Sequence, residues 1–167
     1  SGGNIKKMNS NKKNITRKNI EKINDLYNKQ LELTHALSSL EIPTVAVITG
    51  PAAGAGLSLA LSCDIRIGSK KAFFLSNYSK IGLTGDYGIS WYLTNLLGPS
   101  KAKELMFCNH RIYADEAYKI GILNFLFTKN FESNLKNFLD NLLSQSHYAL
   151  KLIKKNIDFA GNNNLRK

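Results

Sequence analysis

The chain has 167 residues, 43% of them hydrophobic, enough for one domain with its own core, and no apolar run approaches the roughly 20 residues a membrane-spanning helix needs. Its formal net charge of +11 comes from lysines dispersed among asparagines without an aromatic stacking motif, which argues against a nucleic-acid partner but leaves a field that attracts a smaller anion. Cys63 and Cys108 lie far apart and form no C-x-x-C, which argues against a metal site or a disulfide framework and fits a reducing, cytoplasmic setting.

In chain order, Ser1, Gly2 and Gly3 open the sequence without an initiator Met and, taken alone, read as the remnant of a cleaved tag. A polar, lysine-rich loop follows, with Thr16 a candidate helix cap. Across residues 20–40, Ile20, Ile23, Leu26, Tyr27, Leu31, Ala36, Leu37 and Leu40 follow helical spacing, which predicts one long amphipathic helix with a buried face. Pro43 ends it, and the β-branched run "TVAVIT" predicts a strand buried on both faces.

"GPAAGAGLSLALSC" predicts a glycine turn and then a small-residue helix, and "DIRIGS" and "AFFLS" predict two short strands joined at "SKK". "YGISWYLTNLLG" reads as a helix closed by Gly98 in a left-handed cap, "KAKELMFC" as another, and "ADEAYKIG" as a third stopping at Gly121. "ILNFLF" reads as a strand, and two amphipathic helices end the chain.

The informative segment for chemistry is 44–56, a strand running through G-P-A-A-G-A-G into a helix. First-turn amides have no acceptor inside a helix and sit at the positive end of its dipole, so they can hold an anion or a developing oxyanion. The alternative is a tight turn whose glycines serve packing only. The pattern is neither a Walker loop nor G-x-G-x-x-G.

From "VITGPAAGAGLSLALSCDIRIGS" through "IGLTGDYG", "LLGPSKAKEL" and "RIYADEAYKIGILN", about two thirds of the chain resembles the enoyl-CoA hydratase/isomerase (crotonase) family, with that family's motifs in their order. "SGGNIKKM" then matches the family's upstream [A/S]-G-[A/G]-D-[I/L]-K-x-M loop, with Asn4 in place of the acidic residue, so residues 1–8 read as native sequence and not a tag. The resemblance implies an α/β fold, the ββα superhelix of the ClpP/crotonase class. It implies a single domain over 1–167, incomplete at both ends and lacking N-terminal strands and C-terminal helices.

It also implies an acyl-CoA enzyme whose enolate is held by two backbone amides, those of Gly3 and Ala55. Gly2, Asn4, Ile5, Lys6, Ala53, Tyr78 and Leu83 would line the substrate, with Lys6 or Lys7 near the CoA phosphates. The hydratases' two glutamates fall on Ser58 and Tyr78, which leaves Asp86 of "GDYG" as the proton carrier and places the chain nearest the isomerase-like branch. A carboxylate among Leu83, Tyr87 and Trp91 would be desolvated, favouring proton exchange near neutral pH. The alternative for Asp86 is a helix N-cap, and for Tyr78 simple core packing. Ile89, where relatives have Gly, would narrow the acyl pocket.

His35, His110 and His147 have no partnered nucleophile and read as solvated or structural. Double-bond isomerisation of an enoyl-CoA is the expected reaction. Hydration or another enolate reaction in the same pocket is one alternative, and non-catalytic acyl-CoA binding another. No permanently bound cofactor or metal is expected, CoA entering as the substrate thioester, and relatives' assembly implies a homo-trimer or hexamer with no membrane partner.

Overall fold

In the computed structural model, which describes residues 17–162, helix α1 (Arg17–Ser38) precedes strands β1 (Val45–Ile48) and β2 (Pro51–Ala53), helix α2 (Ala55–Leu61), and strands β3 (Ile65–Ser69) and β4 (Phe73–Leu75). Helix α3 (Ile89–Cys108), strand β5 (Ile112–Tyr113), helix α4 (Ala114–Lys119), strand β6 (Phe125–Phe127) and helices α5 (Phe131–Leu143) and α6 (His147–Asn162) follow. The strands form two three-stranded sheets, ordered β1-β3-β6 and β2-β4-β5. Strands β1 to β4 therefore fall in alternate sheets, β5 stays in the second and β6 returns to the first, and α2 carries the chain from the second sheet back to the first. This is the expected ββα spiral. All pairings are parallel except β4 with β5.

The core lies between these layers. Phe74 and Ile67 are fully buried on the two sheets, with Leu57 from α2 and Ile89 and Leu93 from α3. Burial of each such side chain contributes roughly 1.5–3 kcal/mol. Arg66 is buried as well, and it stays satisfied by donating Nε–H to the Ile122 carbonyl at 2.7 Å and Nη1–H to that of Cys63 at 2.8 Å. Burial pushes its guanidinium below the ordinary value. The Asp64 carboxylate accepts from the Thr44 amide (2.7 Å), the Thr44 hydroxyl (2.9 Å) and Lys154 Nζ (2.8 Å), tying α6 to the entrances of β1 and β3.

Several sequence-based expectations change. Strand β2 lies inside the segment read as a turn, and its register, Pro51↔Phe73 to Ala53↔Leu75, carries the glycine segment along β4. β1 is an edge strand among the described residues, with Val47 43% exposed, so its apolar run is not buried on both faces. On α1, Ile23, Leu26 and Tyr27 are exposed, while Thr34 is buried and Leu31 and Leu37 are half-buried. Periodicity identifies an apolar face but not how far a partner surface extends along it. Gly98 has φ 78° and ψ 162°, outside the left-handed helical region, so it kinks two helical runs and does not cap the first. Pro99, which has no N–H to lose, starts the second run.

Gly68 on β3 faces Leu123 so closely that a β-carbon would lie 2.4 Å from Leu123 Cδ1, and Leu123 is itself buried. Overpacking of this kind costs about 1–3 kcal/mol. Gly68→Ala is expected to lower the unfolding free energy measured in urea by that amount, and by less in a Leu123→Val background. Equal losses in both backgrounds would exclude this contact as the cause.

Candidate active site

The glycine turn is built by strand pairing on one side and helix initiation on the other. The Gly54 amide donates to the Leu75 carbonyl at 3.0 Å, prolonging the β2–β4 ladder by one step. Gly54 then takes φ 53° and ψ −123°, a reversal that residues with a β-carbon rarely adopt, and α2 starts at the next residue. A β-carbon at Gly54 would meet only ordinary 3.8 Å contacts with Tyr78 and Ser76, so the glycine is required by conformation and not by space. Its carbonyl accepts from the amides of Leu57 (2.9 Å) and Ser58 (3.1 Å). Ala55 and Gly56 provide the remaining first-turn donors, for which the helix contains no acceptor. Gly2, Gly3, Asn4, Ile5, Lys6 and Lys7 lie outside the described residues.

A second loop meets this turn. Gly85, Tyr87 and Gly88 all have positive φ (117°, 51° and 71°), and an aromatic residue in the left-handed region is held there at a cost of about 1–3 kcal/mol. Contacts from three places supply that hold. The Thr34 hydroxyl of α1 lies 3.2 Å from the Tyr87 carbonyl, sharing its one hydrogen with the Leu31 carbonyl. Ser58 Oγ on α2 lies 3.3 Å from the Asp86 carbonyl, sharing its one hydrogen with the Gly54 carbonyl at 3.5 Å, and the Asp86 carbonyl also accepts the Ile89 amide at 3.1 Å. The Tyr78 hydroxyl, just past β4, donates to Asp86 Oδ1.

Three residues named from the sequence, Ser58, Tyr78 and Asp86, are therefore neighbours at the glycine turn. Tyr78 is buried, and burial first, then the bond to Asp86, pushes its phenol above the ordinary tyrosine value, against a smaller opposing effect from Ser58. The N-cap alternative for Asp86 fails: α3 is preceded by Gly88 with no side-chain cap, and the Asp86 carboxylate is bonded to Tyr78. Leu83 and Trp91, expected to surround Asp86 with apolar surface, are 40% and 61% exposed, and Tyr87 is half-buried. Ile89 is not a pocket-lining residue either; it is buried in the core, its Cγ2 filling the space a Gly85 side chain would need.

Ala53 is half-buried at the end of β2. His35 and His147 are exposed, and His110 sits 3.8 Å from Glu116. Thr34 was not singled out from the sequence, although a polar residue at helical spacing between Leu31 and Leu37 is the available signal.

Thr34→Val keeps the shape and removes the hydroxyl, so it is expected to destabilise the fold by about 1 kcal/mol in urea titration. An unchanged midpoint would exclude the Thr34–Tyr87 bond as a stabilising contact. For Tyr78, the folded state holds the phenolic proton more tightly than the unfolded state. Its stabilising contribution is complete below the ordinary pKa of about 10 and declines as pH rises above it, because the unfolded chain then binds fewer protons. Wild-type stability is thus expected to fall relative to Tyr78→Phe on going from about pH 9 to pH 11; parallel curves would contradict this linkage.

The enoyl-CoA hydratase/isomerase family model matches residues 1–167. The chain is 35% identical over 124 residues to 4-chlorobenzoyl coenzyme A dehalogenase-1 of Arthrobacter sp, covering 74% of this chain and 45% of the relative. It is 31% identical over 134 residues to 1,2-epoxyphenylacetyl-CoA isomerase of Escherichia coli, covering 80% and 51%. The crystal structure of an enoyl-CoA hydratase from Polaromonas sp. superposes with a TM-score of 0.85 at 29% identity, covering 99% of this chain and 63% of that one. The chain thus spans about half the length of these two sequence relatives. With its motifs in order, its two-sheet spiral and a full-length family match, the chain belongs to the enoyl-CoA hydratase/isomerase family.

Proposed function

We propose that the protein acts on acyl-CoA thioesters and shifts the double bond of an enoyl-CoA through an enolate. The thioester oxygen accepts from the amides of Gly3 and Ala55, and loss of one such donor typically costs about 2.7–4 kcal/mol of transition-state stabilisation. Asp86 removes a proton from C2 of a 3-enoyl-CoA. The C–H electron pair moves into the conjugated system to give a dienolate with charge on the thioester oxygen, and the same carboxyl returns the proton to C4. The double bond ends between C2 and C3. Ala53 and Leu83 line the acyl group, Gly2, Asn4 and Ile5 flank the thioester and CoA, and Lys6 meets the CoA phosphates, helped by the +11 net charge.

The carrying observation is the lone carboxylate of this cluster among the described residues: Asp86 accepts from Tyr78 at its carboxylate and from Ser58 at its backbone carbonyl, and those two residues stand at the positions where the hydratases have glutamates. Addition of water by two cooperating carboxylates has no second carboxylate in this cluster. The isomerase and dehalogenase among the relatives support non-hydratase chemistry. Hydration is the second reading, favoured by the match to the Polaromonas hydratase.

No helix among the described residues is long and apolar enough to cross a membrane. The cysteine usage supports a cytoplasmic enzyme. The exposed Tyr148, Ile153 and Ile157 of α6 support assembly into a trimer or hexamer.

The test is to supply trans-2-enoyl-CoA and cis-3-enoyl-CoA separately to the full-length protein and follow both isomers and the 3-hydroxyacyl product. Isomer interconversion is expected, and Asp86→Asn should lower it by roughly 10²–10⁴-fold. A 3-hydroxyacyl product without isomerisation favours hydration. Isomerisation that survives Asp86→Asn removes Asp86 from the chemistry, and CoA binding with no turnover at all identifies a binding protein.

A further inference from the structure

With proton transfer assigned to Asp86, the residue whose role changes most is Tyr78. Its side chain is 4% exposed, and its hydroxyl hydrogen is given to Asp86 Oδ1. A phenol has one hydrogen, so a Tyr78 that donates to Asp86 cannot at the same time donate to a substrate. Asp86 Oδ2 accepts no hydrogen bond from any described residue, so the two oxygens of one carboxylate are in different situations. The backbone around them is fixed independently, through Ser58 Oγ to the Asp86 carbonyl and Thr34 Oγ1 to the Tyr87 carbonyl. Those bonds set where the loop sits, yet neither restrains rotation of the carboxylate about its own χ2. Among the described residues only the Tyr78 hydroxyl does that.

We propose that Tyr78 is a positioning residue, whose hydroxyl holds Asp86 Oδ1 so that Oδ2 alone exchanges the substrate proton, and that the phenol does not touch the substrate. This rests on the assignment of Asp86 as the proton carrier. A single exchanging oxygen makes removal from C2 and return to C4 the work of one atom, which ties the reaction to substrates whose two carbons both lie within its reach. Burial and the neighbouring carboxylate keep the phenol protonated, so the donor persists throughout the working pH range. The charged group acting on the phenol is Asp86, and Ser58 and the Asp86 backbone are its other polar neighbours.

Two measurements on the full-length protein test this. In steady-state kinetics with an enoyl-CoA, Tyr78→Phe is expected to lower kcat by roughly 10- to 100-fold with KM nearly unchanged, the pattern of lost orientation and not of lost substrate contact. A raised KM with kcat retained would mean that the phenol binds substrate, and unchanged kinetics would mean that the bond has no role; either overturns the proposal. The second measurement needs no turnover and no Tyr78 variant: ultraviolet titration of tyrosine ionisation in wild type and Asp86→Asn. One phenol is expected to ionise at lower pH in Asp86→Asn, and superimposable titrations would show that the bond is absent in solution. Activity that survives Asp86→Asn sinks the proton assignment itself. Activity lost in Asp86→Asn but intact in Tyr78→Phe sinks the positioning role alone.

Discussion

The parallel register of β2 against β4, only three residues long, is the constraint on which the site depends. It pairs Ala53 with Leu75 and continues through the Gly54 amide to the Leu75 carbonyl. The first turn of α2 is thereby set beside the chain leaving β4. Ser58, one turn into α2, and Tyr78, three residues past the end of β4, then meet at Asp86. A slip of one residue would turn the alternate side chains of β2 and β4 to opposite faces and part these groups.

Rigidity and strain are divided between the two sides of the site. The glycine turn is anchored by a ladder bond and by two amides returning to the Gly54 carbonyl. The Asp86 loop holds three residues at positive φ and leans on side chains from elsewhere for its shape. Such an arrangement fixes the backbone that carries the Asp86 carboxylate at the expense of local stability, a pattern common where chemistry is performed. The fully buried Ile89 closes the loop from beneath, so the loop is supported on its core side as well as by hydrogen bonds.

Away from this centre the molecule is less enclosed. Much of the apolar surface of α1 and α6 is exposed, and β1 presents Val47 to solvent. The ion pair of Lys154 with Asp64 ties α6 down with a Lys154 side chain only 10% exposed, whereas Lys136–Asp140 on α5 is a mostly exposed pair that contributes little.

Local pattern was sufficient for α2, β3, β4, α4, α5 and α6, because their apolar spacing and glycine stops lie within a few residues of one another. It also marked the glycine turn, and the family motifs pointed to Ser58, Tyr78 and Asp86 by position. β2 and β5 escaped because strands of three and two residues have no readable alternation and exist only through their partners. The extent of α1 that is buried, the kink at Gly98 and the burial of Ile89 were likewise settled by what packs against them. So was the direction of the Asp86 carboxylate: its own neighbours in sequence favour a helix cap, and only a tyrosine hydroxyl brought in by strand pairing gives it another partner. Residue chemistry and short-range spacing thus determined which groups could act, and tertiary structure decided which of them face one another, since hydrogen bonds and packing across long stretches of chain leave no local periodicity.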